Sequence, residues 1–98
     1  MIVVRDVFQL KFGKAKEAIG LLKEQPEVLK RSGYPPQRIL ADVTGEYYTL
    51  VMESTFNDLA AFEAALKGLS QDAEWQAFYA RFTPLVESGR REVFRVVE

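Results

Sequence analysis

Residues 2–13, IVVRDVFQLKFG, decide the fold because apolar side chains alternate along them until Gly13 ends the pattern. The apolar positions of one parity are Ile2, Val4, Phe8, Leu10 and Phe12. A period of two over about ten residues predicts a β-strand with one apolar face. Asp6 interrupts that face. We expect it to have a partner near the helices, such as an arginine or a tyrosine hydroxyl, to mark a bulge that shifts the register, or to be functional.

The hydrophobic period changes to three and four residues directly after Gly13. This spacing predicts an amphipathic helix from Lys14 to Arg31. Pro26 has no backbone N–H, so the helix is expected to bend or restart there. The stretch Ser32–Pro36, SGYPP, supplies the glycine and prolines that end helices.

The remaining chain alternates between β-rich and helical runs. The sequence predicts strands at Arg38–Thr44 and Tyr47–Phe56 joined at Gly45-Glu46, a helix begun by Asn57-Asp58, a helical stretch from about Gln71, a break at Ser88-Gly89 and a strand at Arg90–Val97. The expected buried stripe of the second helix is Leu59, Phe62, Leu66 and Leu69. This order predicts a single ferredoxin-like α+β domain over residues 1–98, with a four-stranded antiparallel sheet and helices on one face.

Composition excludes several functional classes. The chain has 98 residues, 13 Lys and Arg, 14 Asp and Glu, and neither His nor Cys. A net charge of −1 argues against nucleic acid as a partner. Without Cys there is no thiol chemistry and no thiolate metal site, and without His the commonest general base and the commonest metal ligand are missing. No metal and no cofactor are expected. No run approaches the ~20 apolar residues of a membrane helix, and the expected location is the cytoplasm.

The sheet face away from the helices mixes apolar and charged residues. Its predicted members are Val3, Arg5, Val7, Gln9, Leu40, Asp42, Tyr47, Thr49, Val51, Glu53, Val93, Arg95 and Val97. A solvated face of an antiparallel sheet should be largely polar, whereas exposed apolar area usually marks an interface or a ligand groove. We therefore expect a homodimer in which two such faces meet.

Three stretches resemble a known group of proteins. They are Arg5–Lys14 (RDVFQLKFGK), Glu53–Phe62 (ESTFNDLAAF) and Asp72–Phe78 (DAEWQAF). With them, nearly the whole chain resembles the dimeric α/β-barrel superfamily, most of all its NIPSNAP-type and antibiotic-biosynthesis-monooxygenase-type domains. The resemblance implies a dimer whose two sheets form a barrel, and often a small-molecule cavity between each sheet and its helices. Haem-degrading relatives place a histidine on the iron, which this chain lacks.

Helical spacing brings Trp75, Phe78 and Phe82 onto one face. They either line an apolar cavity for a small apolar or aromatic ligand, or they are the buried stripe of a small core. The resemblance adds that, in the cofactor-free oxygenases of the superfamily, polar and aromatic side chains orient a phenolic substrate that itself reacts with oxygen. The hydroxyl aromatics of this chain are Tyr34, Tyr47, Tyr48 and Tyr79.

Four charged residues of the predicted second face form another candidate site. They are Arg5, Asp42, Glu53 and Arg95, which either converge on a polar site beneath the barrel that the resemblance implies or form ion pairs within or between subunits and solvated rim charges. Two functions stay open at this point. One is a small-molecule-binding or interaction domain without catalysis. The other is a cofactor-independent monooxygenase, isomerase or cyclase acting on an aromatic or polyketide-like compound.

Overall fold

The computed structural model describes residues 1–24 and 26–97. Along the chain the elements are β1 (Ile2–Leu10), α1 (Ala15–Lys23), α2 (Pro26–Arg31), β2 (Arg38–Ala41), β3 (Thr49–Phe56), α3 (Leu59–Ser70), α4 (Ala73–Phe82), a 3-10 turn (Thr83–Leu85) and β4 (Val86–Arg95). The predicted restart of the first helix is confirmed, because α2 begins at Pro26. Gln25, which precedes it, lies outside the described residues.

The four strands form one antiparallel sheet in the order β2-β3-β1-β4. The helices cover one face of this sheet, and the hydrophobic core lies between the two layers. The predicted ferredoxin-like architecture is therefore confirmed. Asp58 begins α3 as predicted, since its side chain accepts the Ala61 N–H at 2.8 Å. Leu59 departs from the predicted buried stripe: it is 55% exposed, because it stands at the first position of α3.

The connection between β2 and β3 is longer than predicted. Strand β2 ends at Ala41 rather than Thr44, and residues 42–48 form a loop. The Asp42 carboxylate closes this loop by accepting the Thr49 backbone N–H at 3.0 Å. Tyr48 adopts a φ of 58°, in the left-handed region, just before β3 begins. Tyr47 thus lies in the loop and is 74% exposed, instead of occupying the predicted strand.

The side chains of β4 point to the opposite sides of the sheet from those predicted. Arg91 on the edge strand β4 pairs with Asp6 on the neighbouring strand β1, and Arg95 pairs with Ile2. Cross-strand partners point to the same side of a sheet, so both arginines lie on the helix-covered side, as does Val93 opposite Val4. Val97 lies beyond the end of β4. The prediction of Val93, Arg95 and Val97 on the second face was therefore wrong, and that face instead carries Phe94, Glu92 and Arg90.

Gly89 lies inside β4, where the sequence had predicted a break. A Cβ atom at Gly89 would approach Cδ1 of Phe8 to 2.8 Å, which is closer than real Cβ contacts. The Phe8 ring is itself held edge-on against Phe82, with 5.3 Å between centroids. The glycine is therefore needed for close packing in the strand, not for a turn.

We predict that Gly89→Ala destabilises the domain by about 1–3 kcal/mol, because the added methyl group must displace a packed aromatic ring. Gly20→Ala is the matched control. Gly20 lies in α1 with open space around its Cβ position, so alanine should stabilise the helix by about 0.5–1 kcal/mol. Urea denaturation of both variants checks the contrast, and equal stability of Gly89→Ala and wild type would contradict the packing described here.

Candidate functional site

Helix α4 presents the predicted aromatic row to the sheet. Its N-terminus is fixed by Asp72, whose side chain accepts the backbone N–H groups of Glu74 at 2.9 Å and Trp75 at 3.1 Å. Along the helix, Trp75 lies 4.9 Å from Phe78 between ring centroids, and Phe78 stacks on Phe82 at 5.6 Å. These contacts order the three rings into one continuous wall.

A cavity of about 220 Å³ lies between this aromatic wall and the helix-covered side of the sheet. Its main apolar lining consists of Met52, Leu66, Leu69, Trp75, Phe78 and Phe82. Its polar lining consists of Asp6, Tyr34, Gln37, Ser70 and Arg91. Phe78 and Phe82 are 3% and 4% exposed and also belong to the core. The same rings thus build the core and line a cavity within it.

The polar end of the cavity is an ion pair between adjacent strands. Arg91 Nε donates to Asp6 Oδ1 at 2.7 Å, and the Asp6 side chain is only 12% exposed. The Arg91 guanidinium also lies over the Phe62 ring, 5.2 Å from its centroid. Of the predicted explanations for Asp6, the arginine partner is confirmed. The register shift in β1 falls between Gln9 and Leu10 instead.

Tyr34 lies at the same end of the cavity and is 8% exposed. Burial raises the pKa of its phenol to about 12, with a further increase from the Asp6 carboxylate and a partial offset from Arg91. The hydroxyl group therefore stays protonated at neutral pH and is available as a hydrogen-bond donor. Sequence reasoning named Tyr34 only among the tyrosines and did not identify Arg91. The one local signal was Asp6, whose charge in an apolar stripe required a cationic or hydrogen-bonding partner.

The four charged residues predicted to converge do so only in part. On the uncovered sheet face, Arg5 Nε lies 3.1 Å from Glu53 Oε2, and Arg5 Nη1 lies 3.5 Å from Glu92 Oε1. Asp42 is used within the loop at residues 42–48, and Arg95 points to the other side of the sheet. Arg5 and Glu53 therefore form an ion-pair cluster with Glu92, and no four-residue polar site is assembled.

Residues 1–24 and 26–97 contain no group of three or more Asp and Glu side chains arranged to hold a metal ion. None of their helices combines the length and apolar character required to cross a bilayer.

Comparison with known families identifies the domain. The family model described as NIPSNAP matches residues 6–98. The chain belongs to the NIPSNAP family. None of the curated proteins matches its sequence significantly.

Solved structures share the fold of this NIPSNAP domain over almost its whole length. An uncharacterized NIPSNAP domain protein from Burkholderia xenovorans is 18% identical, with a TM-score of 0.89 over 99% of this chain and 95% of that one. A NIPSNAP family protein from Agrobacterium tumefaciens is 19% identical, with a TM-score of 0.89 over 99% and 93%. SnoaB, a cofactor-independent oxygenase from Streptomyces nogalater, is 14% identical, with a TM-score of 0.74 over 99% and 93%. At these identities the likeness establishes the fold alone.

A surface ion pair joins the helices on either side of the cavity in this NIPSNAP domain. Arg31, at the end of α2, donates from Nε and Nη2 to the two carboxylate oxygens of Asp72 at 3.0 and 3.1 Å. The Arg31 hydrogen bond lowers the pKa of Asp72, and the Trp75 and Glu74 backbone N–H groups add to the decrease. Because Asp72 also begins α4, this pair couples the position of α2 to that of Trp75.

We predict that Asp72→Asn unfolds at a lower temperature than wild type at pH 7, although asparagine still caps the helix. A lowered folded-state pKa means that the carboxylate stabilises the fold above its ordinary pKa, and that this contribution is lost as the pH falls below about 4. Thermal midpoints of the two proteins should therefore converge in acid. Glu24→Gln, which removes the more exposed pair with Arg81 at 3.5 Å, is the control and should have a smaller effect. If the difference in thermal midpoint between Asp72→Asn and wild type does not change with pH, the role assigned to the Asp72 charge is wrong.

Proposed function

We propose that this NIPSNAP domain binds a small, ring-containing molecule in the cavity between α4 and the sheet. The observation that carries the proposal is a 220 Å³ space inside the core of a domain this small, lined by aromatic side chains. An apolar cavity of about 150 Å³ in another protein is enough to bind benzene. The half-exposed Tyr79 and Arg91 belong to the lining, which gives a ligand access from one side.

The shape of the cavity wall favours a flat ligand. Trp75 and Phe78 lie at an interplanar angle of 34°, and Phe78 and Phe82 at 18°, so the three rings present a nearly continuous surface. Aromatic groups interact favourably in offset or edge-to-face geometry beyond the area they bury. A ring of the ligand would therefore gain both desolvation and packing energy against this wall.

A second candidate function is a cofactor-independent reaction, such as oxygenation, isomerisation or cyclisation of a small aromatic or polyketide-like compound. The specific observation in its favour is that Asp6, Tyr34 and Arg91 add ionic and hydroxyl groups to a mainly apolar cavity. The fold that the domain shares with SnoaB, itself a cofactor-independent oxygenase, is compatible with it. A compound that is recovered unchanged from the protein would support binding, and a compound that is recovered chemically converted would support catalysis.

We predict that toluene shifts the indole N–H resonance of Trp75 saturably. Trp75 is the one tryptophan of the chain, so a single resonance monitors the cavity. Leu66→Phe enlarges a lining residue and should abolish the shift, whereas Leu59→Phe adds the same volume at an exposed position of α3 and should preserve it. Absence of a saturable shift in wild type, or its persistence in Leu66→Phe, would count against the binding function.

We further propose that two copies of the domain associate through the uncovered sheet face to form a cytoplasmic homodimer. Val3 and Phe94 are cross-strand partners on this face; Val3 is half-buried and Phe94 is 50% exposed. Arg5 lies between Glu53 and Glu92, and Arg90 pairs with Glu92, so the cluster contains both signs of charge and is able to pair with its own copy. An apolar surface interrupted by balanced charges suits self-association better than exposure to water. A fluorescent fusion protein would test the cytoplasmic location separately.

We predict that Phe94→Ser shifts the sedimentation equilibrium toward the monomer, because it removes an aromatic contact from the interface. Leu59→Ser makes the same kind of change at a comparably exposed residue on the helix layer and should leave the dimer intact. If wild type sediments as a monomer at micromolar concentration, or if both variants behave alike, the proposed interface is wrong.

A further inference from the structure

We propose that the cavity selects ring-bearing molecules with a planar carboxylate and that Arg91 recognises this group. The proposal rests on the binding function above and adds the chemical class of the ligand. It follows from the hydrogen-bonding capacity left at the polar end of the cavity, where donors outnumber acceptors that are free to bind.

The Asp6 carboxylate fixes the guanidinium group of Arg91 without consuming its donors. The hydrogen bond to Asp6 uses Nε, one edge of the planar guanidinium. Within residues 1–24 and 26–97, Nη1 and Nη2 donate no other hydrogen bond, and Asp6 is the one acidic partner of Arg91. Since Arg91 is always charged and presents its N–H groups as a planar fork, the remaining edge matches the two oxygens of a carboxylate.

Tyr34 supplies a further donor at the same end. Its side chain lines the same cavity as Asp6 and Arg91, and its hydroxyl proton is retained at neutral pH. An anionic group entering this region would find N–H and O–H donors to replace its lost hydration. Burial of a carboxylate without such donors would be prohibitive.

The placement of the two charges of the Asp6–Arg91 pair also discriminates between ligand classes. Both residues line the cavity, but the Asp6 side chain is 12% exposed and bonded to Arg91, whereas the Arg91 side chain is 45% exposed. An incoming group therefore meets the cation of the pair before the anion. A cationic headgroup would face Arg91 directly, and a neutral amide would forgo the charge-assisted hydrogen bonds that a carboxylate forms.

Benzoate, benzamide and benzamidine test the proposal because they carry an anionic, a neutral and a cationic planar group on the same ring. We expect benzoate to bind wild type about tenfold more tightly than benzamide, as judged by the Trp75 indole resonance at constant ionic strength. Benzamidine should bind more weakly than either. Toluene, the ligand without a headgroup, reports on the cavity itself.

Two variants separate recognition from stability. The double variant Asp6→Leu/Arg91→Met replaces the ion pair by apolar residues, a change that folded proteins tolerate better than loss of one partner. It should still bind toluene and should lose the preference for benzoate. Arg95→Met is the control: Arg95 lies on the same side of β4, opposite Ile2 and outside the cavity, so the preference for benzoate should persist.

The possible outcomes distinguish this proposal from the binding function on which it rests. A preference for benzoate that disappears only in the double variant supports Arg91 as the recognition residue. If toluene binds but the three headgroups bind equally, or if the preference survives in the double variant, the carboxylate proposal is overturned while the binding function stands. If no probe, toluene included, shifts the Trp75 resonance, the binding function itself fails.

Discussion

The ion pair between Asp6 and Arg91 is the constraint on which the other features of this domain depend. A carboxylate on the apolar face of the central strand β1 needs a partner, because an unpaired charge in that position would cost several kcal/mol. Arg91 provides the partner at 2.7 Å from the directly opposite position of β4. This pairing agrees with the register of β4 and therefore with the side of the sheet to which every residue of that strand points.

The Asp6–Arg91 pair also limits how closely α4 packs against the sheet. Charged groups at this position prevent a fully apolar seal between α4 and the sheet, and the space beside them is the 220 Å³ cavity. The aromatic wall of α4 forms the other boundary, and Asp72 fixes the start of that helix through Trp75 and Glu74. Structure and proposed function are thus linked through one polar feature in an apolar core, as is common for small-molecule sites.

The order of elements was predictable from the sequence because hydrophobic period and helix signals agree along most of the chain. Alternation in β1 and capping by Asp58 are examples of such agreement. The side of the sheet that each β4 residue faces was not predictable, because the apolar residues of this strand fall on both parities, with Val93 and Phe94 adjacent. Only the cross-strand partner Asp6 resolves that ambiguity. Likewise, the aromatic row of α4 indicated burial, but whether packing fills the space beneath it depends on contacts that no local pattern encodes.

The two faces of the sheet differ in how their charges are used. On the uncovered face, Arg5 and Arg90 pair with Glu53 and Glu92 near the half-exposed Phe94, which suits association with a second copy. On the covered face, Arg91 is held by Asp6 through Nε, and within residues 1–24 and 26–97 its Nη1 and Nη2 donate no other hydrogen bond. In the two proposals, similar residue types would serve assembly on one side of the sheet and ligand recognition on the other.

The most direct test of this description is a crystal structure of the protein pressurised with xenon, which enters apolar cavities without needing a specific ligand. The account predicts a xenon peak among Met52, Trp75 and Phe78, with the Asp6–Arg91 pair intact at its edge. An electron-density map without xenon between α4 and the sheet, in which Trp75 and Phe78 pack directly against Met52, would contradict it.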